Sequence, residues 1–139
     1  MERSEIDAIP LEGDESFRQR AVEPGRAALL VVDLQKGEYN AESRARNPNH
    51  RYLYDRVGDV VIPNGQRLIA ACREAGIEVV YTVIECLTKD GRDRGLDYKI
   101  SGIFAAKGSW EAEVIDELAP GDDDIVIPKT SSSLFNSTN

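Results

Sequence analysis

Two residues of suitable type for catalysis stand at comparable places in the chain. Asp33 ends the apolar run Ala27-Ala-Leu-Leu-Val-Val32, and Lys129 follows the run Ile125-Val-Ile-Pro128. Each sits where a buried parallel strand would stop. In an open α/β sheet the carboxyl ends of the strands form the ligand crevice. A carboxylate and an ammonium meeting there can activate a nucleophile. No plausible nucleophile follows at a further strand end before Asn139. Cys86 comes after the second apolar run, but nothing in its local sequence marks a nucleophile turn, so it reads as structural or pocket-lining. Cys72 falls on the buried face of a helix and reads as a small core residue.

Three punctuated blocks must position the pair. Residues 1–25 are polar and aperiodic, and read as a tail that wraps a neighbour. Ala27–Val32 is a continuous apolar run, typical of a strand buried on both faces. Residues 36–54 are polar and dotted with tyrosines, with Asn47-Pro48-Asn49 as a turn signal, so a long loop is expected. Pro63 suits the first turn of a helix, Leu68, Ile69 and Cys72 share one face of it, and Gly76 follows its end. Residues 77–84 are rich in β-branched side chains and form the second strand. Residues 88–95 read as a loop. Ser109 is the expected N-cap of a helix over 110–118, which Pro120-Gly121 ends. Residues 124–127 are the third strand. Strand, helix, strand, helix, strand with right-handed crossovers gives a parallel 3-2-1 order, half of a doubly wound sheet. The first strand lacks the charge, proline or bulge of an edge strand, so the fold is expected to continue beyond this half.

Composition limits the function classes. With 139 residues the chain is at most one domain. It is 41% hydrophobic and 30% charged, which fits a globular rather than a disordered chain. A net charge of −8 argues against a nucleic-acid partner. No stretch approaches the ~20 apolar residues of a membrane helix, and the N-terminus has no signal-peptide core. Two cysteines make no disulfide framework, and a cytoplasmic protein is expected.

Several blocks carry a resemblance. Ala28-Leu-Leu-Val-Val-Asp33-Leu-Gln35, Ala106-Lys-Gly-Ser-Trp110, Val114-Ile-Asp-Glu-Leu118, Asp124-Ile-Val-Ile-Pro-Lys129 and Ser133-Leu-Phe-Asn136 resemble the isochorismatase-like cysteine hydrolases. The wording is closest to the ureidoacrylate and carbamoyl-amide amidohydrolase branch. The resemblance covers about residues 27–139 and implies a Rossmann-like α/β fold, a parallel sheet with helices on both faces, of which this chain supplies the first three strands. Residues 26–139 would then be the N-terminal part of that domain. The family triad is Asp, Lys and Cys. Asp33 and Lys129 match the first two, while the family's Cys lies after a fourth strand and outside this chain. The implied reaction is amide hydrolysis. Asp33 takes the thiol proton, Lys129 supports the charged pair, and the thiolate attacks a small ureido or carbamoyl amide to release ammonia. The remainder of the domain or a complementary chain is the implied partner, in a homo-oligomer. The alternatives are a non-catalytic half-domain binding protein and a vinyl-ether hydrolase of the isochorismatase type.

Three further residues are candidates for substrate contact. Glu85, at the end of the second strand, either accepts hydrogen bonds from a substrate ureido group or is a solvated strand-end carboxylate. Tyr39 and Asn40, just past Asp33, either line the pocket or serve the loop. Some relatives hold a divalent ion with an Asp and two His, but this chain has a single His, His50. No metal and no cofactor are expected.

Overall fold

The computed structural model describes residues 21–46 and 48–136. Most of the tail expected over 1–25, and Asn47 of the expected turn, lie outside the described residues. Three strands, β1 (Ala28–Val32), β2 (Glu78–Ile84) and β3 (Ile125–Lys129), form one parallel sheet in the order β1-β2-β3. The expected order is therefore observed. The register sets Val32 beside Thr82 and Ile84 beside Lys129, so the C-terminal ends of the strands converge.

Alternation along the strands divides the sheet into two unlike faces. Val31, Val79, Tyr81 and Val83 point into the core with Ile69, Cys72, Ile115 and Leu118. Helix α3 (Ile62–Glu74) and the segment after residue 110 cover that face. On the opposite face Leu30, Val32 and Ile125 stay 44%, 53% and 49% exposed. One layer of cover follows from topology, because two successive right-handed crossovers place both connections on the same side.

Two expectations from the sequence need correction. The long loop over 36–54 contains two helices, α1 (Ala41–Arg46) and α2 (Pro48–Arg56). Charge pairs and ring stacking rather than an apolar stripe tie them in place: Arg44 pairs with Asp55 at 2.9 Å, and Tyr39 stacks on Tyr54 at 4.3 Å between centroids. Pro63 stands in the first turn of α3, as expected, and α2 runs through a π-helical turn (Val57–Val61) into that helix. The Ile62 N–H bonds the Val57 carbonyl, and this wider turn sits where a proline ring would clash with an α-helical carbonyl. The helix expected over 110–118 is two short 3₁₀ turns, Trp110–Ala112 and Asp116–Leu118. Between them Val114 forms an antiparallel bridge with Gln35, which requires extended backbone. Ser109 makes no side-chain cap there. A further helix, α4 (Leu96–Ser101), follows the loop after β2.

Candidate active site

Asp33 is the first residue beyond β1. Its N–H bonds the Thr82 carbonyl at 3.0 Å, so the β1–β2 ladder extends to it. Its φ of 54° is the left-handed value that aspartate tolerates better than most side chains. This turn breaks the strand alternation and brings the carboxylate over the sheet end. Lys129, the last residue of β3, is 4% exposed and places its Nζ 2.6 Å from Asp33 Oδ2. The carboxylate itself is 25% exposed. The expected meeting of the two groups is thus realised in a half-open, water-reachable site.

Two buried hydroxyls flank the pair. Thr82, 1% exposed in the central strand, donates from Oγ1 to Asp33 Oδ1 at 2.8 Å. Tyr98, 2% exposed on α4, accepts from Lys129 Nζ at 3.3 Å. Burial alone would lower the lysine pKa. The hydrogen bonds to Asp33 and Tyr98 outweigh it and hold the ammonium above the ordinary lysine value. Burial also raises the Tyr98 phenol, against the pull of Lys129. The result is a Thr82–Asp33–Lys129–Tyr98 chain drawn from four separate elements. None of its hydroxyl members carries a local sequence signature.

Gln35 is the other residue the sequence did not single out. Buried at 3% exposure, it donates from Nε2 to the carbonyls of Ile84 and Ala112, each at 3.0 Å, and accepts from Ile84 N–H at 2.6 Å. It ties the chain just past Asp33 to the end of β2 and to the segment that follows residue 110. With Ile84, Phe104, Ala105 and Arg46 it lines a cavity of ≈ 410 Å³ beyond the strand ends.

The remaining candidates have partners of their own. Glu85 Oε1 accepts from the Gly108 N–H at 2.7 Å, and the residue lines a separate ≈ 380 Å³ cavity with Lys36, Ser109 and Glu113. Tyr39 is stacked on Tyr54. Asn40 accepts from Ser43 N–H at 2.9 Å and donates to the carbonyls of Lys36 and Gly37, fixing the entry to α1. The structure brings Asp33 and Lys129 together, whereas Glu85 meets Lys129 only through the backbone, its N–H donating to the Lys129 carbonyl at 3.2 Å, and the side-chain partners of Glu85, Tyr39 and Asn40 lie elsewhere. Both cysteines are free and buried. At Cys86, 2% exposed, burial pushes the thiol pKa up, the wrong direction for a nucleophile. Among the described residues no three of His, Cys, Asp and Glu are grouped to hold a metal ion, and no helix is long and apolar enough to cross a membrane.

Comparison with known proteins shows what the chain is similar to. The isochorismatase domain model matches residues 27–139. N-carbamoylsarcosine amidase from Arthrobacter sp. is 31% identical over 131 residues, covering 91% of this chain and 47% of the relative. Isochorismatase from Bacillus subtilis is 32% identical over 117 residues, covering 84% and 34%. The crystal structure of a cysteine hydrolase from Pseudomonas syringae pv. phaseolicola superposes with a TM-score of 0.66 at 30% identity, covering 84% of this chain and 52% of that one. The chain thus spans about half or less of the length of these relatives. With the parallel sheet and the match over 27–139 in agreement, the chain belongs to the isochorismatase family.

Proposed function

We propose that this chain forms the N-terminal part of a cysteine amidohydrolase that releases ammonia from a small linear ureido or carbamoyl amide. Asp33 is its general base and Lys129 the base's partner. The observation that carries this reading is the 2.6 Å Lys129–Asp33 contact at the carboxyl ends of parallel strands. The nucleophilic cysteine comes from outside residues 1–139, in the remainder of the domain or in a complementary chain, because Cys86 and Cys72 are both buried. In the reaction, Asp33 accepts the thiol proton. The thiolate attacks the amide carbonyl, and the tetrahedral oxyanion collapses as Asp33 returns that proton to the departing nitrogen, which leaves as ammonia. Water then cleaves the thioester. Apolar side chains left open on the sheet, Leu30, Val32 and Ile125, support completion by further structure and a homo-oligomeric assembly. Two free thiols fit the reducing cytoplasm.

The amidase relative supports a carbamoyl substrate. The Bacillus relative, named an isochorismatase, keeps vinyl-ether hydrolysis as the second reading. The test uses the complete protein, with the cysteine-bearing part present. Asp33→Asn and Lys129→Ala should each lower kcat by about 10²–10⁴-fold, the range of acid–base contributions, with unchanged circular dichroism. A panel of a ureido acid, nicotinamide and isochorismate, run with and without chelator, should show chelator-resistant ammonia release from the ureido acid. Preference for nicotinamide with loss of activity on chelation refutes the substrate class and the metal-free mechanism. Preference for isochorismate selects the second reading, and a complete protein without a downstream nucleophilic cysteine is a non-catalytic binding protein.

A further inference from the structure

We propose that Tyr98 is a positioning residue that fixes the rotation of the Lys129 ammonium, through a helix bolted to the backbone just beyond that lysine. The inference rests on the proposed Asp33–Lys129 machinery. An ammonium carries three N–H donors on a rotor at the end of a flexible stem. One acceptor, Asp33 Oδ2 at 2.6 Å, directs one N–H but leaves the stem and the other two N–H groups able to pivot about the Nζ···O axis. A second acceptor, Tyr98 Oη at 3.3 Å, stops the rotation and thereby sets the direction of the third N–H.

A tyrosine can serve this purpose only if it is itself held. Tyr98 lies in the middle of α4, whose start is tied to the residues after Lys129. Gly95 N–H bonds the Thr130 carbonyl at 2.7 Å, and Ser132 N–H bonds Asp97 Oδ2 at 2.7 Å. A Cβ on Gly95 would meet Ser131 Cβ at 2.8 Å, so only glycine permits this approach. The end of α4 is also closed. Gly102, at φ 70°, returns its N–H to the Tyr98 carbonyl, and the Ile103 N–H reaches the same oxygen at 3.0 Å. Two hydrogen bonds therefore relate the start of α4, and with it Tyr98, to the chain just beyond β3 without passing through the ammonium. Asp33 beyond β1 and Tyr98 on α4 are the groups that face Lys129, and Asp97 adds negative charge beside the phenol.

The test is the pH–rate profile of the complete protein with Tyr98→Phe, which keeps the ring and removes the acceptor. The buried ammonium then retains its desolvation penalty and loses one group that favours its charge. The expected result is an alkaline limb of kcat/KM displaced to lower pH and a kcat lower by about tenfold, the scale of one hydrogen bond to a charged group, with KM changed little. Asp97→Ala, at an exposed residue, loosens the tie to Ser132 and should move the same limb the same way by less. It serves also if the phenylalanine variant does not fold. An unmoved alkaline limb with kcat within about twofold of wild type in the folded variants overturns the proposal. Asp33→Asn run in parallel separates the two failures. If that variant is fully active, the proposed function itself is wrong. If it is inactive while Tyr98→Phe behaves as wild type, only the role of Tyr98 falls.

Discussion

The unequal burial of the Asp33–Lys129 pair makes its two halves unequal in cost when removed singly. Asp33→Ala leaves behind an ammonium in a side chain only 4% exposed. Orphaning one member of a buried pair costs about 3–5 kcal/mol. Alanine at a φ of 54° adds roughly 1 kcal/mol of backbone strain, for a total of about 4–6 kcal/mol. Lys129→Met leaves a carboxylate that is 25% exposed and still accepts from Thr82. Water and the threonine hold that charge, methionine fills much of the lysine stem, and the cost should be about 1–2 kcal/mol. Asp33→Asn should fall between them, since asparagine tolerates the left-handed conformation and keeps an acceptor. The signs with pH also differ. Lys129 is raised above its ordinary value of 10.5, so its contribution is complete below that pH and is lost only as pH climbs through the higher folded value. In Asp33→Ala, burial acts without a counter-charge. The lysine can shed its proton as pH rises, and the deficit against wild type should shrink from neutral to alkaline pH. Urea unfolding followed by circular dichroism at two pH values reads both effects. Equal costs for the two variants, a larger cost for Lys129→Met, or a deficit that grows with pH would refute this account of the pair.

Gln35→Leu keeps volume but strands the Ile84 N–H and the Ala112 carbonyl; it should cost about 2–4 kcal/mol in the same unfolding assay, and a neutral result would show that Gln35 does not tie the strand ends together. Residues 21–136 expressed alone expose Leu30, Val32 and Ile125 on one face and should associate in light scattering at micromolar concentration, whereas Leu30→Lys with Val32→Thr should reduce that association. A strictly monomeric wild-type fragment would sink the idea that this face needs cover.

The sequence showed the strands because each is an apolar run ended by chemistry-bearing or turn residues, and it showed the pair because Asp33 and Lys129 sit at those ends. Parallel pairing and right-handed crossovers then left little freedom in their arrangement. The misreadings share another cause. Helices α1 and α2 are held by pairs such as Arg44–Asp55 and Tyr39–Tyr54, which leave no 3.6-residue apolar period to read. The segment after Trp110 has helical spacing, yet Gln35, more than seventy residues away, claims Val114 for a bridge. Tertiary pairing thus overrides a local preference there, as it commonly does. Thr82 and Tyr98 were silent for a third reason. A threonine in a β-branched strand and a tyrosine in a short polar helix satisfy local propensity fully, so neither registers as out of place. Their meaning arises only from register, which sets Val32 beside Thr82 and Ile84 beside Lys129, and from the backbone ties of α4 to residues 130 and 132. Charged members of a site can be found by their position in the pattern. The hydroxyls that aim them are found only once the pattern is folded.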